Sequence, residues 1–217
     1  MATLRWVLGA VVLVLAGVAG ALLLTGRPHA SSSAVMPESD TPAATWHAGR
    51  RRAPAFALRD SRGTPLSLAS FHGRPLVVTF IDPLCRDYCP IEAQHLNTVV
   101  RSLPAAEKPV IVAVSVNTAG NKPEIFAQDK RKWKLVPQWR WAVGSDAQLA
   151  RVWRAYGIDV LVSTRKIAGI TVRRVAHTEA SYVIDRNGYE RALFIWPYSA
   201  SGVASTLRLL ASEREAQ

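Results

Sequence analysis

Residues 75–90 read PLVVTFIDPLCRDYCP, and this stretch decides the fold class. Its first seven residues are a continuous β-branched and aromatic run, which is typical of a central strand buried on both faces. The following segment, 90–103, has apolar residues at helical spacing, and it begins with a proline that suits a first helical turn. The sequence therefore predicts a strand that passes into a helix, with Cys85 and Cys89 in the connection.

Outward from this stretch, strand-like and helix-like patterns alternate, which predicts an α/β domain. The Asn-Gly pair at 187–188 favours a tight turn between the last two strands. A parallel β-α-β start and an antiparallel end predict a thioredoxin-like fold with an extra N-terminal β-hairpin. The predicted strands are 55–58, 66–68, 75–81, 110–116, 141–143, 181–185 and 189–195, and the predicted helices are 90–103, 123–133, 146–156 and 204–213.

The N-terminal region reads as an appendage to this domain. Residues 6–25 form an uncharged apolar run that, at ~1.5 Å per residue, spans the ~30 Å core of a bilayer. We interpret it as a single transmembrane helix, with 1–5 cytoplasmic, 26–53 a flexible basic tether and 54–217 the domain. A cleaved signal peptide is the alternative. Both interpretations deliver the domain across a membrane, to the extracytoplasmic (periplasmic) side.

Composition excludes several classes of protein. The 217 residues include 27 Lys and Arg against 16 Asp and Glu, a net charge of +11, and 49% are hydrophobic, so the chain can bury a core. Two cysteines are too few for a disulfide-rich scaffold or a four-thiolate zinc site. The basic, Trp-containing stretch 130–140 lacks any nucleic-acid-binding motif, and the anchor indicates the wrong compartment, so we expect no nucleic-acid partner.

Cys85 and Cys89 lie where a strand passes into a helix N-terminus. Free backbone N–H groups and the helix dipole lower the pKa of thiols at such a position. A spacing of four residues places both side chains on one face if the turn is helical. Such a pair either forms a disulfide or binds a soft metal ion. Asp82 and Asp87 lie near enough in sequence to orient a ligand or to take up thiol protons, although Asp82 equally suits a turn.

Monovalent copper bound by two thiolates needs one more ligand for trigonal coordination, which directs attention to the histidines. His29 and His47 fall in the predicted tether, His72 at the wrong end of the central strand, and His95 on the helix after Cys89. His177 lies in a predicted loop before strand 181–185, and in a thioredoxin-like layout that loop packs beside the first β-α turn. His177 is therefore the candidate ligand.

Several segments carry a family resemblance. CRDYCP at 85–90, SVN at 115–117, GSDAQLARVWRAY at 144–156 and HTEASYVIDRNG from His177 resemble the Sco/SenC copper proteins. The similarity extends over about 54–210 and includes the single anchor. The sequence departs from the family pattern at Asn117 and Asn121, where the family often carries an acidic motif, in the lead into the cysteines at 80–84, which is usually rich in aromatic residues, and in the basic segment 158–176.

The resemblance implies a membrane-tethered thioredoxin-like domain that binds one copper ion, monovalent or divalent, through Cys85, Cys89 and His177. Such proteins help to load the dinuclear copper centre of cytochrome c oxidase, or keep the cysteines of that centre reduced. The implied partners are the copper-bearing subunit of the oxidase, or another copper protein, and the lipid bilayer.

An enzyme is the alternative class. In a thiol-disulfide oxidoreductase, Cys85 would attack a client disulfide and Cys89 would resolve the mixed disulfide. The C-x-x-x-C spacing counts against this function, because thioredoxin-type oxidoreductases normally use C-x-x-C. A peroxiredoxin is favoured less than this oxidoreductase, because Val78 and Asp82 stand where the peroxiredoxin pattern needs proline and threonine.

Overall fold

The computed structural model of the chain describes residues 37–215. Among these residues, no helix is both long enough and apolar enough to cross a bilayer. The predicted anchor at 6–25 lies outside the described residues, as do 1–5 and the first part of the predicted tether. Short 3₁₀ turns occur at Leu68–Phe71 and Thr118–Gly120.

The elements follow the predicted order, with one hairpin and one short strand in addition. The strands are β1 (Ala44–Thr45), β2 (Ala57–Asp60), β3 (Pro65–Ser67), β4 (Leu76–Ile81), β5 (Val110–Ser115), β6 (Trp139–Val143), β7 (Val160–Ile167), β8 (Ile170–His177), β9 (Ala180–Ile184) and β10 (Glu190–Ile195). The helices are α1 (Tyr88–Ser102), α2 (Pro123–Lys132), α3 (Asp146–Ala155) and α4 (Ala200–Glu215).

Eight strands form one sheet in the order β1-β10-β9-β4-β5-β6-β2-β3. Strands β4, β5 and β6 are parallel, whereas β9 runs antiparallel to β4. Every residue of β4 and β5 is buried, as the apolar runs predicted, because helices cover both faces. Alternate β4 residues feed two cores: Val77 and Ile81 pack with α1 and α4, and Val78 and Phe80 pack with α3. This is the predicted thioredoxin-like α/β fold, and β2–β3 is its extra hairpin.

The predicted flexible tether is wrong for residues 37–53. Strand β1 pairs with β10, an isolated bridge joins Ser39 to Tyr198, and another joins Arg52 to Tyr189. The guanidinium of Arg51 lies 4.5 Å from the ring centre of Trp46 and bonds to Glu190. A two-residue edge strand carries no periodic pattern, so the early start of the domain could not be predicted from the sequence.

The predicted loop before β9 is also wrong, because β7 and β8 form an eight-pair antiparallel hairpin. Its turn contains Ala168 and Gly169, both with positive φ, as tight hairpin turns require. Most of its side chains are exposed, so the strands lack the alternating apolar pattern that marks a half-buried strand. His177 is consequently the last residue of β8.

Candidate metal centre

Local hydrogen bonds fix the loop that carries the first cysteine. The Asp82 carboxylate accepts the Leu84 N–H at 2.7 Å, and the Asp82 carbonyl accepts the Cys85 N–H at 3.0 Å. The Arg86 guanidinium donates to the carbonyl oxygens of Pro83 (2.9 Å) and Cys85 (2.7 Å). The loop is thereby held at the carboxyl end of β4, where α1 begins.

The two thiols are adjacent and are not joined by a disulfide. The Cys89 N–H donates to Cys85 Sγ at 3.4 Å. Hydrogen bonding from the Cys89 thiol, helped by backbone N–H groups of the first α1 turn, lowers the pKa of Cys85 to about 6. The same bond, together with burial, raises the pKa of Cys89 well above its usual range. At neutral pH the pair therefore holds one thiolate, on the half-buried Cys85, and one proton, on the buried Cys89.

His177 lies at the same edge of the sheet, because β9 begins there: Ser181 pairs with Thr79 near the end of β4. Its Nδ1 is 3.1 Å from the Thr178 carbonyl oxygen, so the Nδ1–H tautomer leaves Nε2 free to bind a metal. Burial lowers the pKa of His177, which keeps the imidazole neutral. The neutral ring is the form that binds a metal.

The structure places the two thiols side by side, but it does not bring the three predicted ligands close enough together to form a metal site. Within residues 37–215, no three His, Cys, Asp or Glu side chains lie close enough together to hold a metal ion. Cys85, Cys89 and His177 nevertheless all belong to one edge, and their chemistry suits a soft monovalent ion.

The two predicted supporting carboxylates have different surroundings. Asp82 is buried and also accepts a hydrogen bond from Asn117 Nδ2 at 3.0 Å. The guanidinium of Arg173, on β8, donates to Asn117 Oδ1, so this network joins the ends of β4 and β5 to the β7–β8 hairpin. Asp87 is exposed at the N-cap of α1 and makes no capping hydrogen bond.

A buried carboxyl group, Glu92, was missed by the sequence reasoning. Its side chain is 1% exposed, and Oε1 accepts hydrogen bonds from Thr79 Oγ1 (2.6 Å), Tyr198 OH (2.9 Å) and Ser181 Oγ (3.2 Å). Oε2 has no partner among the described residues. Burial raises the pKa of Glu92 above its ordinary value. The helical period indicates this burial, because Glu92 follows Cys89 by three residues on the inward face of α1.

A second missed contact anchors the cysteine loop to α2. Arg86 Nη1 lies 3.5 Å from an Asp129 carboxylate oxygen. Asp129 is fully buried, and burial raises its pKa to about 6 despite the nearby guanidinium. No sequence pattern predicts that Arg86 contacts Asp129, because the position of α2 on the sheet is set by tertiary packing.

Neither His72 nor His95 belongs to this edge. His72 is exposed in the turn before β4, at the opposite end of that strand, as predicted. His95 packs edge-on against Trp196 with ring centres 5.2 Å apart, and its Nδ1 lies 3.1 Å from the Tyr198 carbonyl oxygen.

The chain is similar to known proteins over most of its length. A family model described as SCO1/SenC matches residues 44–211. The mouse (Mus musculus) protein SCO2 homolog, mitochondrial, is 29% identical over 154 residues, which are 70% of this chain and 60% of that protein. The chain thus spans about 60% of the length of that curated relative.

Solved structures share the fold at lower identity. ScoI of Bradyrhizobium japonicum with copper bound is 22% identical, with a TM-score of 0.63 over 73% of this chain and 99% of that one. BsSco, described as a member of the Sco family of cytochrome c oxidase assembly proteins in which a disulfide switch was identified, is 17% identical. Its TM-score is 0.60, over 79% of this chain and 98% of that one.

Proposed function

The chain belongs to the SCO1/SenC family, and from this premise we propose that it is a copper chaperone that carries one ion on Cys85, Cys89 and His177. The observation that carries the proposal is the position of the two free thiols, side by side at the start of α1 with the Cys89 N–H 3.4 Å from Cys85 Sγ, at the edge of the sheet where His177 also lies. Thiolate sulfur selects monovalent copper over hard cations, and imidazole suits the same ion.

Each ligand has a distinct part in this proposal. Cys85, ionised near neutral pH and half-buried, is the first ligand to reach incoming copper. Cys89 becomes the second ligand by releasing its proton, so copper uptake is coupled to proton release. His177 supplies Nε2 as the third ligand, and the Asp82–Asn117–Arg173 network supports the edge on which all three lie. Asp87 stands exposed at the N-cap of α1, two residues after Cys85.

The proposed client is the copper-bearing subunit of cytochrome c oxidase. The description of BsSco as a member of a family of oxidase assembly proteins supports it, as does the match to the SCO1/SenC model. A trigonal site that is open on one side passes its ion to a partner through shared ligands, without free copper.

We propose further that residues 6–25 anchor the domain on the extracytoplasmic side of a membrane, and that the tether is shorter than the predicted 26–53. The support is the uncharged 20-residue run. The expected result is that the full chain stays in the membrane pellet after alkaline carbonate washing. Release of the full-length chain by that wash would contradict the anchor.

A second candidate function, thiol-disulfide exchange, is favoured by the opposite pKa shifts of the two cysteines. A low-pKa, accessible thiol beside a buried, protonated one is the arrangement of an attacking and a resolving cysteine. The disulfide switch described for BsSco is consistent with such chemistry. Carrier and reductase both start from the reduced pair: binding Cu(I) leaves it reduced, whereas reducing a client disulfide converts it to a Cys85–Cys89 disulfide.

One sample separates the two functions. The full chain is purified reduced, its copper content is measured after loading with Cu(I) and gel filtration, and its dithiol reduction potential is measured against glutathione. We expect one copper per chain, lost when the dithiol is oxidised. A chain that retains no copper but reduces disulfides of the client would reverse the order of the two functions.

A further inference from the structure

The β7–β8 hairpin is a basic arm without an assigned role. Residues 160–177 contain four cationic side chains, Arg165, Lys166, Arg173 and Arg174, and no acidic one. The two strands form a sheet of their own, separate from the eight-stranded sheet. An isolated two-stranded ribbon is marginally stable in water, and this one is held at its base, where Val160 and Val175 pack against the core.

The two faces of the arm differ. The register pairs Thr164 with Arg173 and Val160 with His177, so Arg173 and His177 share the face on which Arg173 contacts Asn117. The same register places Arg165 and Arg174 together on the opposite face. That face, hereafter the outer face, also carries Leu161 and Ile170, which are 71% and 68% exposed.

The cations of the outer face are available to a partner. Among the described residues, no salt bridge involves Arg165 or Arg174, whereas Arg51 and Arg191 are paired with carboxylates. The outer face thus carries two exposed arginines and two exposed apolar side chains. This combination is complementary to an acidic surface that has apolar patches. A second copy of this chain does not fit, because two chains of net charge +11 repel each other.

The arm rises from the edge that carries the thiols. Its base ends at His177, and its Arg173 is connected through Asn117 to Asp82, three residues before Cys85. Leu84, Tyr88 and Ile91, around the cysteines, are exposed apolar side chains. A protein that receives copper through shared ligands must approach this edge and will meet the arm, whereas a membrane surface has no need to reach the thiols.

We infer that the outer face of the β7–β8 hairpin docks the copper-receiving protein through an acidic patch on that protein. This inference rests on the proposed function for the identity of the partner. Long-range attraction between the arm and the patch raises the association rate and orients the partner toward Cys85, and salt weakens it.

The test uses the full chain in detergent and the soluble, copper-free domain of the oxidase copper-bearing subunit. Binding of the two is measured without copper, at low and high salt, and Cu(I) transfer is then followed by stopped flow. The variant is Arg165→Glu with Arg174→Glu. The control is Arg62→Glu with Lys130→Glu, which changes the net charge equally at exposed positions off the arm.

We expect the arm variant to lower the association and transfer rates by about tenfold or more and to lose their salt dependence. The control should stay within about twofold, and both variants should keep the Cu(I) affinity of the parent chain. The docking inference would be overturned if both variants slowed the rates equally or if neither did. It would also be overturned if the oxidase domain did not bind the parent chain.

Two further outcomes separate the docking inference from lipid binding and from the proposed copper function. If the arm variant loses binding to vesicles of phosphatidylcholine with phosphatidylglycerol but transfers copper normally, then the arm binds anionic lipid and the docking inference is wrong. If the parent chain binds the oxidase domain through the arm but holds no copper, docking stands and the proposed copper function fails.

Discussion

At the residue scale, the chemistry of the site depends on one proton shared unequally between two thiols. Cys85 accepts hydrogen bonds from the Cys89 thiol and from the first backbone N–H groups of α1, and each bond favours its thiolate. The sequence predicted a lowered cysteine pKa from the helix N-terminus alone. It named Cys85 as the attacking thiol, and the structure gives the physical reason, because Cys85 is half-buried whereas Cys89 is buried.

The alkylation of Cys85 tests this asymmetry. With the pKa of Cys85 at about 6, its reaction with iodoacetamide should rise with pH to a midpoint near 6, while Cys89 stays unreacted up to pH 9. Cys89→Ala removes a hydrogen-bond donor and should shift the midpoint upward. Mass spectrometry of the alkylated peptides measures both rates. A midpoint near that of a free thiol, or faster reaction at Cys89, would contradict the assignment.

At the element scale, buried elements were predictable and exposed ones were not. Strand β4 and helix α1 were predicted to within two residues, because each carries a strong apolar pattern. Strand β1 and the β7–β8 hairpin were missed, because one is two residues long and the other is mostly exposed. Helix α4 begins at Ala200, four residues earlier than predicted, since its first turn is rich in serine and glycine.

Glu92 joins α1 to the sheet, and its substitution tests how that helix is held. Glu92→Ala leaves three hydroxyl donors without their acceptor and opens a cavity, so we expect a loss of about 3 kcal/mol in the free energy of unfolding. Glu92→Gln keeps an acceptor and should cost about 1 kcal/mol at pH 5. Urea unfolding measures both, with the exposed Glu124→Gln as control.

The pH dependence of the same variants has a definite sign. The pKa of Glu92 is raised in the folded chain above its ordinary value of 4.5, so folding binds a proton and the stability from this group is lost as pH rises above 4.5. Glu92→Gln removes that loss. Its stability relative to the parent chain should therefore increase between pH 5 and pH 7, and a constant difference would mean that Glu92 is ionised when folded.

At the scale of the whole molecule, the fold gathers at one edge residues that are 92 positions apart in sequence, from Cys85 to His177. The thioredoxin-like order predicted that His177 lies at this edge, since β9 returns antiparallel beside β4, and a shared metal site there stays a prediction. The network of Asn117 and Arg173 was not predictable, because it depends on the hairpin that the sequence pattern did not reveal. The total net charge of +11 does not indicate a function. Its distribution does, because part of it lies on the β7–β8 hairpin beside the thiols.

The most direct test of the copper site is the Cu(I) affinity of the reduced full chain, measured by competition with a chromophoric chelator. Loss of a ligand should exceed the roughly 10- to 100-fold cost of losing an outer hydrogen-bond partner, so Cys85→Ser, Cys89→Ser and His177→Ala should each weaken binding more than about 100-fold. His95→Ala, off the site, should bind like the parent chain. Unchanged affinity in the His177→Ala chain, or equal loss in the His95→Ala chain, would contradict the proposed site.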